Sequence, residues 1–139
     1  MKNSLLMLDL VRAFYWFDEQ LRSRLAEQGF TAVTRSQSLV LANVANGETR
    51  ASRIAANLGV SRQAMSQLLA EMVNNGLVDT APDPADRRAQ VVFFGPAGEE
   101  IRIAAQKILR DLEGEMERAL GKTQMLALRT ALRHWPPQD

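Results

Sequence analysis

Residues 49–78 have the sequence TRASRIAANLGVSRQAMSQLLAEMVNNGLV, with the spacing of two short helices joined by a tight turn. The first helix is predicted over about 50–58 with Thr49 as its N-cap, and the second begins at Ser61, another favourable N-cap residue. Gly59 lies between the two helices, where a residue without a Cβ permits the bend. The segment therefore predicts a helix-turn-helix.

The second helix has an unusual polar side. On a helical wheel of about 100° per residue, the apolar arc consists of Ala64, Met65, Leu68, Leu69 and Met72. The opposite arc consists of Gln63, Ser66, Gln67, Ala70 and Asn74. Solvent-facing helices usually carry lysine and glutamate, whereas amides, hydroxyls and methyls can meet base edges in a major groove. A small packing unit with a neutral surface would show the same pattern, so both interpretations stay open here.

Two β-prone runs follow this helix. Leu77–Ala81 and Gln90–Phe94 enclose the segment PDPADRRA, which predicts a hairpin loop. An arginine at such a tip can enter a narrow minor groove, and Asp86 is then expected to pair with an arginine and fix its direction. A solvated charge run is the alternative for Asp86, Arg87 and Arg88.

Basic residues between positions 50 and 90 are all arginine, whose planar fork suits phosphates and base edges. They are Arg50, Arg53, Arg62, Arg87 and Arg88. Together with Ser61, Gln63, Ser66, Gln67 and Asp86, they form the predicted set of DNA-binding residues. The start of the second helix, at Ser61 and Arg62, suits a phosphate because free backbone amides and the helix dipole favour an anion.

Helical spacing also extends on both sides of this region. It covers Ser4 to about Gln28, about Arg35 to Ala45, and Pro96 to Pro136 with a break at Gly121. The first and last helices are long and apolar on one face, while the centre over 35–95 is too small to cover them. Pairing with a second copy of the chain would cover these faces, and folding back onto the centre is the alternative.

Composition excludes several classes of protein. The 139 residues suffice for one domain and contain no cysteine and a single histidine, His134, so thiol chemistry and histidine-rich metal sites are excluded. No apolar run is long enough to span a membrane, and no signal peptide is predicted, so we expect a cytoplasmic protein. Without a phosphate loop or a catalytic set, we expect no enzyme, no cofactor and no metal. The net charge of +1 makes no case for nucleic acid by itself.

Residues 58–98, LGVSRQAMSQLLAEMVNNGLVDTAPDPADRRAQVVFFGPAG, resemble the MarR (multiple-antibiotic-resistance regulator) family of winged-helix transcription factors. The resemblance implies a mainly α fold with a small β-hairpin wing, in which Arg88 is the minor-groove arginine. It implies a single domain over 1–139, with dimerisation helices at 1–30 and 97–139 around a DNA-binding lobe at 34–95. Gly95 replaces the family's usual threonine before PAG, so we expect a missing side-chain cap and a looser return from the wing.

The function implied is a sequence-specific regulator of transcription, expected to act as a repressor. A homodimer would bind a palindromic operator in double-stranded DNA. The alternative is a winged-helix module that contacts proteins and binds no DNA. The family frequently binds small aromatic effectors, and the candidate residues here are Phe14, Tyr15 and Phe17, beside Trp16. Such an aromatic cluster is more often core or dimer interface, so the existence of an effector stays open.

Overall fold

Six helices and one two-stranded hairpin make up the computed structural model, which describes residues 3–30 and 33–137. In chain order, the elements are α1 (Leu6–Glu27), α2 (Arg35–Ala45), α3 (Ala51–Leu58), α4 (Arg62–Asn74), β1 (Val78–Asp83), β2 (Asp86–Phe94), α5 (Pro96–Leu120) and α6 (Lys122–His134). The predicted fold class, mainly helical with a β-hairpin wing, is confirmed. The ends of the predicted dimerisation segments, residues 1–2 and 138–139, lie outside the described residues.

Helix starts follow local side-chain chemistry at α2 and α4. Thr34 accepts a hydrogen bond from the backbone N–H of Gln37, whose side chain in turn accepts from the Thr34 N–H, so the two form a capping box. Ser61 caps α4 as predicted. Thr49 does not cap α3: the N-cap residue is Arg50, and the Thr49 carbonyl accepts the N–H of Val92 at 2.7 Å instead. Segment 49–50 contacts β2 through its backbone, and α3 begins one residue later than its sequence predicts.

The hairpin strands are longer than predicted. Antiparallel pairing runs from Val78 opposite Phe94 to Asp83 opposite Asp86, which leaves a turn of only two residues, 84–85. Residues 82–83 and 86–89 of the Pro/Asp segment therefore lie in the strands, although only Pro82, Asp83 and Asp86 are paired across the hairpin. The register shifts after Pro82, which faces Gln90, so residues 87–89 have no partner on β1 and form a bulge.

The return from the wing into α5 is tightly packed, so the prediction of a looser return at Gly95 is wrong. The N–H of Gly95 donates to the carbonyl of Leu77 at 3.0 Å, and that of Ala97 donates to Gly76 at 3.1 Å. A Cβ on Gly95 would lie 2.4 Å from the Gly76 oxygen, and one on Gly98 would lie 1.8 Å from the Leu77 oxygen. Glycine at these positions lets α5 begin directly against the start of β1.

The chain divides into two compact units, Met1–Ala105 and Gln106–Asp139. The core of the first unit includes fully buried side chains from α2, α3, α4 and both strands, namely Val40, Ile54, Met72, Val78 and Val92. In the second unit, Leu112 and Met125 are buried, and Glu113 of α5 pairs with Arg129 of α6 at 3.0 Å. The first unit holds all the predicted DNA-binding residues.

Candidate nucleic-acid interface

Helix α4 presents the polar side that its sequence predicts. Met65, Leu69 and Met72 are at most 3% exposed, and they pack α4 into the core of the first unit. Gln63, Ser66, Gln67, Ala70 and Asn74 are all exposed, as are Ser61 and Arg62 at the helix start. Two side chains of the predicted apolar arc differ: Leu68 is half-buried and Ala64 is exposed. The exposed methyl of Ala64 therefore lies beside the amides on the accessible surface of the helix.

The turn before α4 fixes the direction of that helix. Gly59 has φ of +70°, a left-handed conformation that L side chains rarely adopt, so it ends α3 sharply. The N–H of Val60 returns to the carbonyl of Ala55 at 3.0 Å. Ser61 then accepts the N–H of Ala64 at 3.1 Å and starts α4. Because Ile54 and Ala55 are buried, α3 holds this turn against the core.

The bulge in β2 places two arginines beside α4. Arg87 and Arg88 are exposed and lie in β2 rather than in a loop, within the bulge at 87–89. The Asp86 carboxylate accepts a hydrogen bond from the backbone N–H of Arg88 at 3.0 Å. Asp86 thus pairs with an arginine, as predicted, but through the backbone N–H of Arg88 rather than through a guanidinium. Asp86 therefore orients Arg88 through the main chain and leaves the guanidinium available.

An open cleft of about 740 Å³ separates α4 from the hairpin. Its charged lining residues are Arg62, Arg87, Arg88 and Asp86, and Ser66 and Gln90 add polar groups. A hollow of about 480 Å³ adjoins it, with Ser66, Ala70 and Asn74 on the side of α4. Three guanidiniums against one carboxylate make the cleft locally basic in a chain with a net charge of +1. Such a surface suits a polyanion that also presents hydrogen-bond donors and acceptors along its edges.

The described part of the chain meets the requirements of neither a metal site nor a membrane-spanning helix. Residues 3–30 and 33–137 contain no group of three or more acidic or histidine side chains that could hold a metal ion. No helix in these residues is both long enough and apolar enough to cross a membrane. Hydrogen-bonding and cationic groups line the cleft beside α4.

Residues 33–89 match the model of the MarR family, and this range covers α2, α3, α4, β1 and the start of β2. Over this range the chain is similar to the MarR family. The resemblance in the sequence is thereby confirmed, and MarR-family proteins are transcription regulators rather than enzymes. Among curated proteins, none matches the chain at a significant level.

Solved structures extend the similarity of fold to nearly the whole chain. The apo form of wild-type MarR from E. coli is 22% identical with a TM-score of 0.71, covering 97% of this chain and 99% of MarR. The structure of NadR in complex with 4-hydroxyphenylacetate is 20% identical with a TM-score of 0.77, covering 96% and 93%. The transcriptional repressor CouR, bound to a 23-mer DNA duplex, is 24% identical with a TM-score of 0.71, covering 93% and 90%.

Two of the predicted DNA-contacting residues in this lobe form ion pairs with acids. The guanidinium of Arg50 lies 3.2 Å from Asp83, and that of Arg53 lies 3.4 Å from Glu48. Asp83 is only 6% exposed, which the sequence did not indicate, because its partner is 33 positions away in the chain. Among the described residues, no acid pairs with Arg62, Arg87 or Arg88.

The predicted effector residues lie on α1. Phe14 and Tyr15 are exposed, Phe17 is half-buried, and their rings contact aromatic neighbours. The guanidinium of Arg35 lies 4.3 Å from the centre of the Tyr15 ring. The aromatic side of α1 therefore faces a cation at the first residue of α2, which the sequence analysis did not identify.

A buried carboxylate joins α1 to α2 next to these rings. Asp18 is 5% exposed, and its Oδ2 accepts from the Nε of Arg22 at 3.0 Å and from the Nε of Arg35 at 2.8 Å. The hydrogen bond to Asp18 raises the pKa of Arg35 above its ordinary value. The spacing of Asp18 and Arg22, four residues apart on one helix, was the available signal in the sequence, whereas the partner Arg35 follows only from the tertiary fold.

Proposed function

We propose that this chain is a sequence-specific, double-stranded DNA-binding regulator that represses transcription. The observation that carries the proposal is the exposed amide and hydroxyl side of α4 beside an arginine-bearing bulge. Gln63 and Gln67 would form paired hydrogen bonds with adenines in the major groove, and Ser66 would contact a neighbouring base. A phosphate would bind at the α4 N-terminus, at Ser61 and Arg62.

The hairpin would supply the second set of contacts. Arg88, directed by Asp86 through its backbone N–H, would enter the adjacent minor groove, and Arg87 would reach the phosphates. The complex of CouR with a DNA duplex supports this use of the fold, since CouR has a TM-score of 0.71 against this chain. The basic cleft between α4 and the hairpin provides the electrostatic attraction that a net charge of +1 does not.

A homodimer is part of the proposal because each unit exposes large apolar side chains. In the first unit, Leu6 is 72% exposed and Leu8 52%; in the second, Leu126 is 65% exposed and Leu132 51%. Large apolar side chains exposed on both units are candidates for a protein interface. A two-fold pair of chains presents two α4 helices to a palindromic operator whose half-sites lie about 10 bp apart.

Relief of repression by a small aromatic anion completes the proposal. NadR was solved with 4-hydroxyphenylacetate, which combines an aromatic ring with a carboxylate. In this chain, Phe14, Tyr15 and Phe17 offer aromatic surface, and Arg35 places a cation over Tyr15. An anion attracted to Arg35 would compete with Asp18 and alter the connection between α1 and α2. This change would in turn alter the spacing of the two DNA-binding lobes in the dimer.

The test is a fluorescence anisotropy titration of the purified chain against the DNA that flanks its own gene. We expect saturable binding that is tighter than binding to a scrambled duplex of the same length, with affinity falling as salt rises. Light scattering on the same sample should give the mass of two chains. Equal binding of both duplexes, or no binding at low salt, would favour the alternative of a protein-interaction module.

A further inference from the structure

Arg50 lies at the junction between the helix-turn-helix and the hairpin. It is the N-cap residue of α3, it forms an isolated antiparallel bridge with Val91, and its guanidinium lies 3.2 Å from Asp83. The neighbouring Thr49 accepts the N–H of Val92. Segment 49–50 therefore touches β2 through its backbone and reaches the end of β1 through the Arg50 side chain.

The end of the hairpin needs such a cation. Asp83 and Asp86 are cross-strand partners, and like charges directly opposite each other destabilise a strand pair. Asp83 is also 6% exposed, so its charge is largely removed from water. One of its oxygens accepts the N–H of Ala85 in the turn at 2.9 Å, and the other faces Arg50. Arg50 thus neutralises the buried member of a facing acid pair.

The chain of contacts leads from α3 to the arginine at the wing. Arg50 forms an ion pair with Asp83, and Asp83 lies opposite Asp86 across the hairpin. The Asp86 carboxylate in turn accepts the backbone N–H of Arg88. We propose that Arg50 is a positioning residue which, through Asp83, sets the place of the hairpin and of Arg88 relative to α4. This inference rests on the proposed DNA-binding function. It gives Arg50 a role different from the direct DNA contact that the sequence predicted.

The two roles predict opposite results for Asp83. If Arg50 and Asp83 act independently on DNA, Asp83→Asn removes a negative charge from a DNA-binding lobe and should strengthen binding. If the Arg50–Asp83 ion pair instead holds the hairpin in place, an arrangement called the clamp below, Asp83→Asn releases the hairpin and should weaken binding. Arg50→Gln weakens binding in both cases, so the acid is the informative residue.

The experiment is a double-mutant cycle on operator affinity with Arg50→Gln, Asp83→Asn and the double variant. We expect each single variant to weaken binding about tenfold, and the double variant to be no weaker than the worse single one. Arg50→Lys, which keeps the charge, should retain most of the affinity. The salt dependence of binding should stay unchanged. Two results together would overturn the clamp. Asp83→Asn would bind as well as the original chain, and the slope of log affinity against log salt concentration would be smaller by about 0.9 in Arg50→Gln.

Trypsin cleavage after Arg87 and Arg88 tests the clamp without DNA. Mass spectrometry should show faster cleavage at these bonds in Arg50→Gln and Asp83→Asn, with melting temperatures measured in parallel to establish that the variants are folded. Asp79→Asn is the matched control, because it removes the charge of an exposed acid on the same strand. Equal hairpin cleavage in all variants overturns the clamp, whereas absence of DNA binding by the unmodified chain overturns only the proposed function.

Discussion

The Oδ1 of Asp86 accepts the backbone N–H of Arg88 at 3.0 Å, within a bulge of β2 that has no partner residues on β1. The acid therefore satisfies a backbone donor that the strand ladder leaves unpaired, and it does so two residues from its own position. As a result, the Arg88 guanidinium lies on the surface of the hairpin without an ion pair among the described residues. This geometry favours a contact between Arg88 and an external anion.

Arg88→Ala should weaken operator binding by roughly tenfold or more, about 1.4 kcal/mol per factor of ten, without changing the fold or the dimer. Anisotropy titration measures the affinity, and light scattering measures the mass. Arg110→Ala is the matched control, since Arg110 is an exposed arginine on α5 that belongs to the second compact unit. Similar affinities for the two variants would show that Arg88 on the hairpin does not contribute to DNA binding.

Gln63→Ala should change base preference more than overall affinity, because an amide that binds adenine contributes about 1–3 kcal/mol of discrimination. The measurement is binding to a set of operators in which each half-site position is replaced in turn. We expect discrimination to be lost at one position per half-site. A uniform loss at every position would show that Gln63 contacts the phosphate backbone.

Gly98→Ala should destabilise the chain by about 3 kcal/mol, because the new Cβ would lie 1.8 Å from the carbonyl oxygen of Leu77. Gly114→Ala is the control within the same helix, where the nearest atom to a new Cβ is the flexible end of Arg118 at 3.5 Å. That variant should gain about 0.5–1 kcal/mol from helix propensity. Urea unfolding measures both, and equal stabilities would contradict the close approach of α5 to β1.

Asp18→Ala should lower the free energy of unfolding by about 1–3 kcal/mol, since two guanidiniums lose their shared acceptor. Asp9→Ala is the control, because its pair with Arg12 is exposed and should contribute less than about 1 kcal/mol. Urea unfolding measures the difference. A loss no larger for Asp18→Ala than for Asp9→Ala would mean that the junction of α1 and α2 does not depend on this carboxylate.

Glu99 predicts an acid-dependent loss of stability at the start of α5. Hydrogen bonds from Arg102 lower the pKa of Glu99, so its stabilising effect is present above the ordinary glutamate pKa and is lost as pH falls through the lowered value. Between neutral pH and pH about 3, the melting temperature of the unmodified chain should fall more than that of Glu99→Gln. Parallel curves for the two proteins would contradict this assignment.

Local signals in the sequence were sufficient for the helices of the winged-helix lobe. The bounds of α2 and the Ser61 cap of α4 follow from spacing and capping chemistry within a few residues. Predictions failed where distant segments meet. Segment 49–50 contacts β2 and Arg50, not Thr49, is the N-cap of α3, and in PDPADRRA only residues 84–85 form the turn. The partners of Arg50 and Arg35 lie 33 and 17 residues away, beyond the reach of any local pattern.

The central claim is that the polar side of α4 lies against nucleobases, and the most direct measurement uses modified DNA. Adenines in each half-site are replaced one at a time by 7-deazaadenine, which lacks the N7 acceptor in the major groove but pairs normally. We expect one or two replacements to weaken binding of the original chain by about tenfold, and this loss to be abolished in Gln63→Ala or Gln67→Ala. Unchanged affinity at every adenine, or the same losses in the glutamine variants, would contradict it.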